Sequence, residues 1–571
     1  MIDDLVVRGN WFRGLGTWAP DRGGTVILRA TAPPNPPELV RAWRDRGRLT
    51  GERIGWCLDR AANQWPGRGA VVADGTTHSF ADLRARANAV ARALVAGGVG
   101  RGDVVTWMLP NGVDAIAVAA AVWRIGAVNN PVVPIYREHE LSFVLDQLRP
   151  AAVVTAEDHR GRRHADEFDD VLATLGHSPG ARLVSGAVPG WQSIHDLAPA
   201  SHVPPSVEPA PADDPCLVLY TSGTTAAPKG AVHSSATLLQ EVRSMQREWA
   251  LTWRDVMFMP SPVTHITGLL QGLLVPTAVG ARSVLADRWD PEESVDRIEA
   301  EGATYMAGAT PFLQGVVEQY QGRDVARPAL RQFTCGGSAV PPHLVEEADA
   351  LGIAAHRAWG MTEFPTTTLA GENDPLERRA HTDGHRAEAV EVEAVDEDRR
   401  PLPASAEGEL RVRGPERMLG YVDAALSGEV VDGAGWFYTG DLGAVDDAGY
   451  VTVTGRRKDI INRGGEKFSA REIEDLLARH PEVAEVAVVG VPGGRLGERV
   501  CAAIVARERH AAADPAALRT FLEAQRIARQ KIPEEFLVVD ELPRTPAGKV
   551  QKFLLVERWE DGRDDGGSRG A

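Results

Sequence analysis

The segment Thr221-Ser222-Gly223-Thr224-Thr225-Ala226-Ala227-Pro228-Lys229-Gly230 follows directly on the apolar run Cys216 to Tyr220. A Gly, Ser and Thr loop leaving a strand offers backbone N–H groups and hydroxyls to phosphate oxygens, and Lys229 adds a positive charge. It is not a Walker A loop, because Lys229 is followed by Gly230 and the glycine spacing differs. Lysine usage gives a second signal. Six of the 62 basic residues are lysine (Lys229, Lys458, Lys467, Lys531, Lys549 and Lys552), and all but Lys229 lie beyond residue 457. Compositional bias has put arginine wherever a solvated positive charge suffices, so the retained lysines are enriched at positions that need a compact ammonium with rotatable donors. The glycine pair of Gly336-Gly337-Ser338-Ala339-Val340 lacks the final glycine of a Gly-x-Ser-x-Gly elbow, so serine-hydrolase chemistry of that type is unsupported.

Composition narrows the partners. A net charge of −17 opposes general affinity for nucleic acid, so a polyanion must be bound in a local pocket. Cys57, Cys216, Cys335 and Cys501 are too far apart in sequence for a disulfide framework or a zinc knuckle. No secretory signal is visible at the N-terminus, and the most apolar long stretch, Ala115 to Val128, is interrupted by Arg124. A cytoplasmic protein without integral membrane association is expected, as a monomer or homodimer.

The phosphate loop resembles the TSGTTGxPKG signature of the adenylate-forming enzymes, the superfamily of acyl- and aryl-CoA synthetases, adenylation domains and luciferases. Eight of nine fixed positions match, with Ala226 in place of a glycine. Further matches follow in the family's order: Pro260 to Gly268, Gly336 to Ser338, Trp359-Gly360-Met361-Thr362-Glu363, Gly408 to Tyr421, Gly435 to Asp441, Gly455 to Asp459, and Pro543 to Lys549. The resemblance spans about residues 50 to 556. It implies two half-reactions: a carboxylate attacks the α-phosphate of ATP to give an acyl-adenylate and pyrophosphate, then a thiol takes the acyl group and releases AMP. Attack at phosphorus needs charge neutralisation and alignment more than covalent help.

The same resemblance assigns roles. Lys549, Glu363, His265 and Thr225 are the catalytic candidates. Lys549 would reach from the C-terminal domain to bridge the carboxylate and the α-phosphate region, Glu363 would hold Mg2+, and His265 would stand at the mouth of the acyl pocket. Nucleotide contacts would come from Thr221, Ser222, Gly223, Thr224, Thr225, Lys229 and Thr362 at the phosphates. Gly336, Gly337, Ser338, Trp359 and Gly360 would flank adenine, with Asp441 and Arg456 at the ribose. Lys458 aligns with the family's hinge, and Gly464 and Gly465 would line the pantetheine tunnel to CoA. Lys467, Lys531 and Lys552 fit contacts to CoA phosphates or a carrier protein and a solvent role equally.

Amino-acid-activating relatives carry an acid near the histidine motif, whereas His265 to Gly280 contains none and is rich in Leu, Val, Ala and Gly. An apolar aryl, alicyclic or medium-chain acid is therefore expected, with transfer to CoA. Asn130 to Phe143 and Ile461 to Lys467 look like the cyclohexanecarboxylate and medium-chain ligase branch. The alternatives are loading of a carrier protein, activation of nitrite for diazotisation, and nucleotide binding without catalysis; the last would predict loss of Lys549 or Glu363. One further departure is Thr382-Asp383-Gly384-His385-Arg386-Ala387-Glu388-Ala389-Val390, which lacks the Pro and Gly the family places after its Asp-Gly pair.

These residues must be positioned by an α/β fold. Phe80 to Ala96 carries a helical apolar period, and Val104 to Leu109, Ala152 to Thr155 and Cys216 to Tyr220 read as buried strands of helix-covered parallel sheets. Val390 to Val395 and Gly408 to Arg413 alternate as in a small antiparallel β module. Glu472 to Leu477, Val483 to Val489 and Val500 to Val505 give a compact α+β unit, which the resemblance implies is mobile. The expected organisation is an N-terminal extension (1–48) with its Pro-rich stretch irregular, a large adenylation domain (49–457), a C-terminal domain carrying Lys549 (458–557), and a disordered tail (558–571).

Overall fold

The computed structural model describes residues 28–202, 210–221, 228–323, 327–337, 340–463, 466–492, 498–507, 514–525, 527–545 and 548–564. Two large sheets dominate. The first has eight strands, with Val128–Pro131, Val104–Met108, Ala152–Ala156 and Ala181–Ser185 as parallel neighbours. The second has seven, six of them a parallel array from Gly69–Ala73 to Ala354–Ala358. Strands buried on both faces read as continuous apolar runs rather than alternating ones, which is why they were visible in the sequence. Helix Val113–Arg124 is buried from Ala115 to Trp123 within the main core, which explains its apolar character. No helix among the described residues is long and apolar enough to cross a membrane.

Helix Phe80–Ala96 is set by its first turn: Ser79 Oγ accepts from Asp82 N–H, and Asp82 Oδ2 accepts from Ser79 N–H, both at 3.1 Å. Such reciprocal capping contributes about 1 kcal/mol. A four-stranded antiparallel module follows, in the order Glu391–Val395, Gly408–Arg413, Phe437–Val445, Val451–Arg456. The smaller C-terminal unit packs helix Ala470–Leu477 on antiparallel Val483–Pro492 and Glu498–Ala506, around Ile473, Leu477, Val488, Ile504 and Leu522.

Two expectations are corrected in part and one is extended. The Pro-rich stretch is irregular through Pro36, as expected, but its last proline opens helix Pro37–Asp45, standing in the first turn, where its missing N–H costs nothing. The C-terminal segment is ordered further than its polar composition indicated, since helix Lys552–Asp564 continues past residue 558. Leu555 and Trp559, one turn apart, pack on the small unit's sheet, with the Trp559 indole donating to Glu535. Strand Pro215–Thr221 pairs parallel with Val128–Pro131, as expected, and on its other side antiparallel with Lys229–Ser234, with Thr221 opposite Lys229. The phosphate loop thus connects the two strands of a hairpin.

Candidate active site

Lys229 opens the return strand of that hairpin, and its Nζ lies 5.5 Å from the centre of the Tyr421 ring, within reach of a cation–π contact. Tyr421 sits on the short strand Gly420–Tyr421, which pairs with Ala231 and Val232. Its hydroxyl donates to Glu363 Oε1 at 2.6 Å. Burial and the neighbouring Glu363 carboxylate push the phenol's pKa up, so it stays a donor at neutral pH. From the same hairpin, His233 Nε2 donates to the Thr362 carbonyl at 2.7 Å. Burial lowers His233 to about 4, so the ring is neutral. Thr362 and Glu363 are therefore fixed against the base of the phosphate loop. The loop residues Ser222, Gly223, Thr224 and Thr225 lie outside the described residues.

Tyr421 and His233 were not among the sequence candidates. Tyr421 closes a matched motif and could have been singled out on that ground. His233 reads only as a strand residue, and no local signal marks it.

The structure joins Trp359, Asp441 and Arg456. Trp359 Nε1 donates to Asp441 Oδ2 at 2.7 Å, and Arg456 Nε lies 2.9 Å from Asp441 Oδ1. Each carboxylate oxygen retains a lone pair for a further donor such as a hydroxyl. Thr368 Oγ1 accepts from Trp359 N–H at 2.9 Å, fixing the backbone from which the indole projects. The glycines here answer to the protein's own backbone. A methyl group at Gly336 would stand 2.7 Å from the Ala358 carbonyl oxygen, and one at Gly360 2.0 Å from that of Pro365. Gly337 has φ +80°, a region other residues enter at a cost. Ser338 lies outside the described residues.

Lys549 is brought to this group from the small unit. It closes the turn Thr545 to Lys549, in which Thr545 N–H donates to the Lys549 carbonyl at 2.7 Å. Gly548 (φ +85°) sits so close to the large domain that a methyl there would meet Ala309 Cβ at 2.9 Å. Burial lowers the Lys549 pKa to about 7, with the Arg456 and Lys458 charges acting in the same direction and Asp441 opposing. Lys458 is lowered too, by burial first and then by Arg456. The C-terminal unit is also held at Ser469, whose hydroxyl donates to the Thr454 carbonyl at 2.9 Å. Gly464 and Gly465 lie outside the described residues.

A lysine whose folded-state pKa is lowered binds fewer protons than in the unfolded chain between about 7 and 10.5. Its burial therefore costs stability fully at low pH, and that cost is relieved as pH rises through this window. Anions bound beside it would restore the cation. Labelling of Lys549 by acetic anhydride, read by mass spectrometry across pH, should titrate near 7 in the ligand-free protein and at higher pH with ATP present. A ligand-free midpoint near 10 would contradict this placement.

His265 begins the apolar segment. Its Nδ1 accepts from Thr267 N–H at 3.4 Å, which leaves the proton on Nε2. Burial, with Lys549 nearby, lowers it to about 4. Gly268 is required for the chain to turn here, since a methyl would fall 2.1 Å from the Pro262 carbonyl oxygen. Leu269–Leu274 then forms a π-helical turn, a form common at functional sites. Its Leu269, Leu270, Leu273 and Leu274 are buried, and Gln271 is the polar exception. Gln271 Oε1 accepts from Tyr305 at 2.8 Å, with Thr334 Oγ1 2.7 Å from the same hydroxyl and 2.8 Å from His356 Nε2. Sequence reading found the apolar run but not this buried chain, whose members come from three strands and a helix.

All four cysteines are free and buried, in agreement with the absence of a disulfide framework. Burial pushes each thiol up to about 12.

With this geometry in place, comparison with known proteins is specific. The profile of the AMP-binding enzyme family matches residues 58–422, and that of the AMP-binding enzyme C-terminal domain matches residues 472–549. A medium-chain fatty-acid–CoA ligase of Escherichia coli K12 is 34% identical over 519 residues, covering 90% of this chain and 92% of that protein. An indoleacetate–CoA ligase of Aromatoleum aromaticum is 32% identical, covering 87% and 96%. The crystal structure of ATP-bound MatB from Rhodopseudomonas palustris superposes with a TM-score of 0.79 at 29% identity, covering 89% and 99%.

Proposed function

The chain belongs to the AMP-binding enzyme family and is an AMP-forming acid–thiol ligase; from that premise we propose that it adenylates an apolar aryl, alicyclic or medium-chain carboxylic acid and passes the acyl group to CoA. The observation that carries this reading is the seat of Lys549. It lies within electrostatic reach of Asp441 and Arg456 on one side and of His265, at the head of a buried apolar segment, on the other. An acid held by that segment and a nucleotide held by Trp359, Asp441 and Arg456 would meet at its ammonium.

Each group then has a defined task. The ammonium of Lys549 draws the carboxylate and the α-phosphate together, which lowers the repulsion between two anions. Asp441 accepts from the ribose hydroxyls while Arg456 holds its other oxygen. Neutral His265 bounds the acyl pocket without adding charge, and the phosphate loop with Lys229 receives the triphosphate. Glu363 fits Mg2+: it is a partly exposed, hard oxygen donor with Oε1 fixed by Tyr421, and Mg2+ is held by one or two carboxylates plus phosphates and water. When bound, the ion would neutralise phosphate charge. The thiol of CoA would then attack the acyl carbon, releasing AMP and taking over the acyl group as a thioester.

Purified protein given ATP, Mg2+, CoA and a panel of aryl, alicyclic and medium-chain acids should yield thioesters detectable by mass spectrometry, with hydrophobic acids preferred over polar acids of equal length. Products only with a phosphopantetheinyl carrier protein, or only with nitrite and an aryl amine, would overturn it.

A further inference from the structure

The stretch Thr382 to Val390, which departs from the family's pattern, places a histidine in an unusual position. His385 stands on the short strand His385–Arg386, paired with Thr368–Leu369. Its Nε2 lies 3.2 Å from Glu248 Oε1, at the end of helix Ser235–Glu248. Its Nδ1 lies 2.9 Å from the Arg386 carbonyl oxygen. Asp374, on the loop before helix Leu376–His381, completes the group: one ligand atom from each of Glu248, Asp374 and His385 lies within 4.8 Å of the others.

The geometry points to a divalent metal site of the zinc type, held by Glu248, Asp374 and His385, outside the active site. The Arg386 carbonyl accepts from Nδ1–H, and Nε2 faces the Glu248 carboxylate, whose hydrogen bond raises the imidazole's pKa to about 9; a metal ion would take the place of the Nε2 proton while Nδ1–H stays on the carbonyl, as in metal-bound imidazoles. The carboxylates are oriented as well. Asp374 Oδ1 accepts from Tyr450 OH at 2.7 Å, and Oδ2 from Gly371 N–H at 2.8 Å, leaving each oxygen a lone pair. The His385 and Tyr450 rings stand nearly perpendicular, at 85°, with their centres 5.8 Å apart, which limits rotation of the imidazole. Arg378, which lies over the Tyr450 ring at 4.4 Å, is already paired with Asp446 at 2.6 Å. His385 and Glu248 side chains are 32% and 27% exposed, so an ion can enter and a water can complete its coordination. One nitrogen and two carboxylate ligands with an open position suit Zn2+ and its first-row neighbours better than the all-oxygen shells of Mg2+ or Ca2+.

Such an ion would tie together three segments that brace the nucleotide side of the active site. Thr368, opposite Arg386 in the hairpin, holds Trp359 N–H, and Trp249, next to Glu248, donates to the Ala370 carbonyl at 3.0 Å.

The test is titration of the chelator-treated full-length protein with Zn2+ alone, in the absence of nucleotide, by calorimetry, and with Co2+ by visible absorption. Wild type should bind one ion per chain, and Glu363→Gln should bind it equally. His385→Gln and Glu248→Gln should each weaken binding at least about tenfold and abolish the Co2+ spectrum. Wild type that binds no Zn2+ at tens of micromolar, or His385→Gln that binds as tightly as wild type, would overturn the assignment. If His385→Gln fails to fold, Glu248→Gln decides the matter by the same criterion. Loss of the ion in Glu363→Gln but not in His385→Gln would place it at the active site instead and equally overturn the proposal.

Discussion

Lys549→Ala should lower the rate of acyl-adenylate formation by about 10²–10³-fold, the range for removing one preorganised charge from a developing anion. The same variant, given preformed acyl-adenylate and CoA, should form thioester with a loss of less than about tenfold. The contrast follows from position. Lys549 is seated beside Asp441 and Arg456, where the nucleotide is expected, and it reaches there only because Gly548 packs against Ala309. Once the acyl-adenylate has formed, the carboxylate charge is gone and only the α-phosphate anion remains, so the repulsion between two anions that Lys549 relieves no longer opposes the step in which a thiol attacks the acyl carbon. Folding should not suffer, because a buried cation with a lowered pKa is removed rather than a partner of a buried acid. Equal loss in both half-reactions would contradict the assigned role.

Glu363→Gln should lower kcat/KM for MgATP by about 10²-fold while leaving the melting temperature within a few degrees. The amide keeps an oxygen to accept from Tyr421 but removes the charge a hard cation requires. Tyr421→Phe, which leaves that charge and frees its orientation, should cost less, on the order of tenfold, consistent with loss of one hydrogen bond to a charged group. A Tyr421→Phe defect larger than that of Glu363→Gln would show that the hydroxyl, not the carboxylate, is the essential group. Steady-state kinetics over a range of Mg2+ concentrations measures both.

The two variants probe what was legible in the chain and what was not. Glu363 and Lys549 could be named because each lies in a motif of fixed spacing, and a motif is local. The partners that hold them are not local. Tyr421 lies 58 residues from Glu363, and Trp359 lies 82 residues from Asp441, so their hydrogen bonds exist only after the sheets assemble. His233 holding the Thr362 carbonyl and Tyr305 bonded to Gln271 belong to the same class. The fold was read well where burial imposes a pattern, as in helix Phe80–Ala96 and strands Val104–Met108 and Ala152–Ala156. It was misread where polar composition concealed packing. Trp559 anchors a helix through residues that look like tail. The hairpin of the phosphate loop was missed because antiparallel return of Lys229–Ser234 depends on its pairing partner, not on its own apolar run.

The central claim is that one site performs adenylation and then transfer to CoA. A rapid-quench experiment with enzyme in excess of ATP, an accepted apolar acid and Mg2+ tests it most directly. Without CoA, up to one equivalent of acyl-adenylate and pyrophosphate should accumulate on the enzyme with little free AMP. Addition of CoA should then convert that adenylate to acyl-CoA and AMP in equal amounts. AMP released at the same rate with and without CoA, or an adenylate that CoA leaves untouched, would contradict the account.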